Sequence, residues 1–359
     1  MMRFTPLLLT AAVLTLGLIP TRCEILAALK EPGPNRHDTE RMERGYYEQL
    51  LDSGRKLTIV EPAPFNAGKL CNVVADLREY VLKPNMQTTH RNASWTTNSL
   101  GMRDREYSAE KPPNTIRIAL VGDSIGAGWG VNDGQAFESL VEVSLNGQLG
   151  GIDRVPPVAL KQSETPDVEI LNFSVPGHAP GQRWEQFRRV GWPMSPDIVF
   201  FEATPADPGW DERRLRGLLA RDIGWDAPQY RDALERAGVS RGGDFGSYKS
   251  ALKSSRWAIL ENVYRSAVAE CRERDVLPVW VLIPRVGKPM PPADRSRLVE
   301  LARSSGFAAV VDISDAFEGI DSTELAISAE DFHPNARGHQ ILAGKIEKAL
   351  VEVLKEGRR

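Results

Sequence analysis

The sequence predicts an α/β domain on a five-stranded parallel sheet with helices on both faces, preceded by an N-terminal extension. Two observations carry that expectation. From about residue 114 onward, five short runs are almost wholly apolar. Segments with helical spacing alternate with them. A strand buried on both faces shows no polar alternation, and parallel neighbours need a crossover that a helix supplies.

In chain order, Arg3 precedes an uncharged run from Phe4 to Thr21, centred on Leu7 to Ile19. A positive start before a short apolar stretch reads as an export signal, cleaved or kept as an anchor, over residues 1–25. The run is at the short limit for a membrane span, which takes roughly 20 residues. Export makes Cys71–Cys271 a candidate disulfide, with two buried free thiols as the alternative, since Cys23 lies in or beside the signal. Residues 26–113 read as an extension of short strands and loops packed on the main domain. Within it Thr39 to Leu51 is charged and helix-compatible, and Val60 to Phe65 holds two prolines.

The strands of the main domain, 114–355, are expected at 116–124, 168–175, 197–204, 276–284 and 308–314. The helices are expected at Phe137–Leu149, Gln182–Val190, Tyr248–Cys271, Arg295–Ser304 and Asn335–Leu354. The intervening Asp207–Gly246 is expected to form part of a substrate wall or a lid.

The chain has 359 residues, 42% of them hydrophobic and 26% charged, with a net charge of −3. That balance excludes wholesale disorder and a polytopic membrane protein, and it supplies no basic excess for nucleic acid. Three cysteines without a CxxC and five scattered histidines (His37, His90, His178, His333, His339) argue against a structural zinc site.

In parallel sheets the chemistry sits at the C-terminal strand ends. The first strand runs into Gly122-Asp123-Ser124-Ile125-Gly126. A serine on a strand-to-helix turn exposes its hydroxyl near backbone N–H groups. The second strand runs into Val175-Pro176-Gly177-His178. Gly177 is either an oxyanion donor through its N–H or an ordinary turn residue, and His178 is either catalytic or pocket lining. Before the last helix stands Glu330-Asp331-Phe332-His333-Pro334, a carboxylate and an imidazole close enough to pair. His339 reads as a packing residue.

In combination, GDSIGAGWGV, NFSVPG and DFHPNARGH, led in by TTNSLGMRDREY, resemble the SGNH hydrolases, the GDSL-type esterases and lipases, over roughly residues 95–355. The resemblance implies a flavodoxin-like three-layer α/β/α sandwich and an esterase that needs no metal or cofactor. It implies Ser124 as nucleophile, His333 as general base, and the N–H groups of Ser124 and Gly177 as oxyanion donors. The chain departs from the family pattern at two places. The family's G-x-N-D block, whose Asn completes the oxyanion hole, is replaced by Glu202-Ala203-Thr204-Pro205-Ala206-Asp207, so either Thr204 supplies a hydroxyl there or Asp207 faces the site in another role. The acid is Asp331, with Glu330 as the alternative.

The activity expected is ester hydrolysis through an acyl-enzyme. For an exported protein the substrate would be an acylated polysaccharide or small molecule, with Trp129, Trp210 and Trp225 as sugar platforms or plain packing residues. Acetyl transfer to a glycan uses the same residues. A non-catalytic glycan- or envelope-binding module is the reading from a different class.

Overall fold

The computed structural model describes residues 69–147, 167–329 and 331–356. The apolar N-terminal run, Cys23, Thr39–Leu51, Val60–Phe65 and Glu330 lie outside the described residues. Among the described residues no helix is long and apolar enough to cross a membrane.

Two small antiparallel hairpins come first. β1 (Cys71–Val73) pairs with β2 (Tyr80–Leu82), and β3 (Gln87–His90) pairs with β4 (Ala93–Thr96). Arg91 and Asn92 join β3 to β4 with φ of 50° and 61°. Two consecutive left-handed residues match the twist of a two-residue hairpin.

The parallel sheet comes next: β5 (Thr115–Val121), β6 (Asp167–Asn172), β7 (Ile198–Ala203), β8 (Leu277–Leu282) and β9 (Ala309–Asp312). Its order is β6-β5-β7-β8-β9, and every pairing is parallel. This is the flavodoxin-like order, which opens a crevice where the chain reverses direction beside the first strand. Alternate residues feed opposite faces, as the period of a strand requires. Ile198 and Phe200 join one core with Phe137, Val141, Leu342 and Ile346. Val199 and Phe201 join the other with Trp184, Leu215, Leu260 and Tyr264.

The first face is covered by α1 (Phe137–Leu145) and α8 (Ala336–Glu356). The second is covered by α2 (Pro180–Val190), α3 (Asp207–Leu219), α4 (Arg231–Arg236), α5 (Phe245–Arg272) and α6 (Pro292–Ser305). A short α7 (Ser322–Leu325) precedes the last loop.

Two open expectations meet the structure here. Of the stretch Asp207–Gly246, expected as a substrate wall or a lid, α3 and part of α4 enter the core, while residues 240–244 are exposed. Trp210, Leu215, Leu218 and Leu219 of α3 are buried, as are Tyr230, Ala233 and Leu234. An apolar stripe with helical spacing runs through the charged string DERRLRGLL, whose charges conceal it. Several of those charges are themselves buried in pairs, such as Arg214 with Glu79 at 3.3 Å. Of the two readings open for Cys71 and Cys271, the pair of buried free thiols is the one found. Cys271, in the last turn of α5, packs in the core, while Cys71 sits on the β1–β2 hairpin. Burial pushes both thiols up to about 12, so neither is a ready nucleophile.

Candidate active site

The carboxyl ends of β5 and β7 and the loop before α8 converge. Ser124 stands after β5 in a run of turns, and α1 begins only at Phe137. The strand-to-helix junction expected at Ser124 is therefore a coil of its own. It is closed by Ala127 N–H to the Asp123 carbonyl at 2.9 Å and Trp129 N–H to the Ser124 carbonyl at 2.9 Å. Two glycines of this coil have a steric reason. A Cβ on Gly122 would lie 2.1 Å from Glu202 Oε2, and one on Gly126 2.3 Å from the same atom.

Ser124 and His333 are both buried, and Ser124 Oγ lies 2.7 Å from His333 Nε2. His333 Nδ1 contacts Asp331 Oδ1, which also accepts the His333 backbone N–H at 2.9 Å. The carboxylate partner makes Nδ1 the protonated nitrogen and leaves Nε2 as the acceptor of the serine O–H. Burial pushes the Asp331 carboxyl up, but its bonds to His333 and the charges of His333 and Arg91 outweigh that and hold it below the usual range. The His333 ring stacks on Phe332 at 4.2 Å and faces Trp129 at 6.0 Å.

Gly177 adopts φ 80°, a conformation open to glycine. No backbone acceptor among the described residues takes the N–H of Gly177 or of Ser124.

Thr204 is corrected as an oxyanion donor. Its hydroxyl donates to Asp207 Oδ1 at 2.7 Å, which uses the one proton it has. Asp207 in turn accepts the Thr204 N–H at 3.1 Å and both terminal nitrogens of Arg183 at 3.1 Å. The segment that replaces G-x-N-D is thus a closed strut. Replacing Thr204 by valine should lower stability by about 1–3 kcal/mol, the cost of leaving a buried acceptor short of a partner. Its kcat should stay within about threefold of wild type, whereas loss of a true oxyanion donor costs about 10²–10³. Urea denaturation and initial rates on the same preparation check this.

Arg183, read from sequence only as part of a helix, is the keystone of the site. It is fully buried. It donates to Asp123 Oδ2 at 2.8 Å, to Asp207 twice, to the Glu202 carbonyl at 3.0 Å and to the His178 carbonyl at 2.9 Å. All five guanidinium donors are used, and they tie the ends of β5 and β7 to the Gly177 loop. Burial pushes Asp123 up, but Arg183 and Arg285 outweigh it and hold its carboxyl low. Burial and the charge of Asp123 push the neighbouring Glu202 carboxyl well up, and its Oε2 lies against Gly122 and Gly126 of the coil.

His178 and His339 are structural. His178 is buried, its Nε2 3.0 Å from the Tyr80 carbonyl of β2. His339 Nδ1 accepts the Phe137 N–H at 3.1 Å, which caps the start of α1. Burial pushes each down to about 3, so both rings are neutral. Trp210 is buried and Trp225 half-buried against Tyr248, while Trp129 reaches the site. Among the described residues no group of three or more His, Cys, Asp or Glu is arranged to hold a metal ion.

The extension contributes a residue that sequence reasoning missed. Arg103 is buried and donates to the carbonyls of Ala127 at 2.8 Å, Val131 at 2.6 Å and Gly128, and to the Ser94 carbonyl at 2.8 Å. It stacks 4.1 Å from the Trp95 ring. It therefore grips the coil that carries Ser124 from below. The string MRDREY gave it the look of a surface charge.

Among solved structures, the chain is similar to a two-domain esterase active on acetylated mannans (14% identity, 67% of this chain and 50% of that one, TM-score 0.40). It is also similar to the lipase/acylhydrolase from Enterococcus faecalis (15% identity, 66% and 95%, TM-score 0.40). An acetyl xylan esterase is a third (13% identity, 65% and 98%, TM-score 0.38). The chain spans about half the length of the two-domain esterase. The comparison with curated proteins found no match. A family model described as the GDSL-like Lipase/Acylhydrolase family matches residues 120–341, a stretch that holds Ser124, Gly177, Asp331 and His333. That stretch is more than half of the 359 residues, and the protein belongs to the GDSL-like lipase/acylhydrolase family of ester-hydrolysing enzymes.

Proposed function

We propose that the protein is a serine esterase that cleaves short-chain acyl esters through an acyl-enzyme on Ser124. The observation that carries the reading is the continuous chain of contacts Ser124 Oγ, His333 Nε2, His333 Nδ1, Asp331 Oδ1. Ser124 Oγ attacks the acyl carbonyl, and His333 Nε2 takes the hydroxyl proton. The tetrahedral oxyanion meets the N–H groups of Ser124 and Gly177. The ester bond breaks, and the alcohol leaves with the proton from His333. Water then enters and gives a proton to His333 as it attacks the acyl carbon, and the bond to Ser124 Oγ breaks as His333 returns that proton to Oγ and the acid leaves. Asp331 holds the imidazole in the needed tautomer and stabilises the imidazolium. A pure binding module has no use for this pairing.

A small acyl group suits the site. Ser124 is only 4% exposed, Trp129 is packed by His333, and Ile327, whose N–H donates to the His333 carbonyl at 3.1 Å, fills the space against Gly130. An acetylated polysaccharide is the natural substrate put forward, resting on the export segment that the sequence predicts.

The test is a series of 4-nitrophenyl esters. We expect kcat/KM for acetate to exceed that for octanoate by at least about tenfold, since extra methylenes must displace packed side chains. A preference for octanoate would contradict the small acyl site. Adding an unacetylated glycan should leave the rate of donor loss unchanged. Acceleration with acetyl appearing on the glycan would make the enzyme a transferase.

A further inference from the structure

The β3–β4 hairpin is zipped onto the nucleophile coil. Ser94 N–H donates to Asn132 Oδ1 at 2.9 Å, Asp133 N–H to Ser94 Oγ at 3.0 Å, and Thr96 Oγ1 to Asp133 Oδ2 at 2.8 Å. His90 packs on Trp129 at 4.6 Å, and Trp95 meets the same ring edge-on at 5.9 Å. The hairpin is thus fastened to the coil that carries Ser124. At its tip, Arg91 Nη1 reaches across to Asp331 Oδ2 at 2.8 Å, while its guanidinium lies 5.3 Å from the Trp129 ring. The two residues of that ion pair are 240 positions apart in sequence.

We propose that Arg91 is a positioning residue for the acid of the triad, and that the hairpin sets the distance between the nucleophile coil and the Asp331–His333 loop. Asp331 has two oxygens with separate tasks. Oδ1 takes both His333 N–H groups, and Oδ2 is held by Arg91. A carboxylate gripped at one oxygen cannot rotate the other away from the imidazole. The left-handed turn at Arg91 and Asn92 fixes where the arginine leaves the hairpin. The extension is then part of the active site, and the catalytic geometry spans both halves of the described chain.

The inference rests on the serine-esterase reading above, and the experiment keeps the two apart. It uses the full chain, 4-nitrophenyl acetate, and Arg91→Gln, Arg91→Lys and Asp331→Asn singly, with Arg91→Gln/Asp331→Asn combined. Thermal denaturation establishes that each is folded. Arg91→Gln is expected to lower kcat about tenfold, with KM within about twofold. Arg91→Lys, which keeps the charge, should recover at least about a third of wild-type kcat. In the Asp331→Asn background, Arg91→Gln should change kcat by less than about twofold, because the carboxylate through which it acts is gone. Wild-type kcat in Arg91→Gln, or an equal loss in both backgrounds, would overturn the inference. Ser124→Ala is run alongside. Turnover by that variant at the wild-type rate would sink the esterase reading itself. An inactive Ser124→Ala beside a fully active Arg91→Gln would sink only the role of Arg91.

Discussion

Ser124→Ala should lower kcat/KM for 4-nitrophenyl acetate by about 10⁴–10⁶, the range seen when the nucleophile of a serine triad is removed. The fold should survive. Ser124 contributes its backbone carbonyl to the Trp129 turn, which alanine keeps, and its hydroxyl is placed against His333 alone among the described side chains. Thermal stability should therefore stay within about 1 kcal/mol of wild type, as for a substitution that leaves no buried group unpaired except one imidazole nitrogen. Rates and melting curves on the same samples check both halves. His333→Ala should lose activity to a similar degree. Combining the two should cost little more, because the residues act as one unit.

The second large effect is on stability. Arg183→Leu should destabilise the protein by about 3–5 kcal/mol, the usual cost of breaking a buried ion pair from one side. Asp123 and Asp207 are both buried and would face each other without the guanidinium. The carbonyls of His178 and Glu202 would each lose a donor. Urea midpoints measure the change. A second substitution that removes the Asp207 charge in the Arg183→Leu background should recover part of the loss, since it removes one unpaired buried carboxylate. A loss below about 1 kcal/mol for Arg183→Leu would mean that the network is not what joins β5, β7 and the Gly177 loop.

The sequence made the scaffold legible where burial leaves a mark on a single segment. β7 reads Ile198-Val199-Phe200-Phe201, as a strand covered on both faces does, and its neighbour β8 reads alike. Ser124 and Gly177 stand just past the ends of such segments, so the strand pattern pointed to them before any contact was known, whereas His333 stood out by its place beside Asp331 before the last helix. Asp331 was legible for a local reason, being two residues from the imidazole it serves.

What the sequence hid is carried by arginine. Arg91, Arg103 and Arg183 look like surface charges in any window, because their partners arrive from other segments. Thr204 was open to two readings because a hydroxyl is judged by where its single proton goes, and that depends on Asp207 being locked by Arg183. The β3–β4 hairpin was hidden too. Gln87-Thr88-Thr89-His90 is polar and exposed at alternate positions, with little apolar signal beyond Trp95 on its partner.

The central claim is that Ser124 is the nucleophile and that His333 and Asp331 activate it. The most direct measurement is intact-protein and peptide mass spectrometry after treatment with a 4-nitrophenyl alkylphosphonate, which traps an activated serine as a stable ester. The account predicts one adduct per chain, on the peptide that carries Ser124, formed slowly or not at all in His333→Ala and absent in Ser124→Ala. An adduct on another residue, or labelling of Ser124→Ala at the wild-type rate, would contradict it.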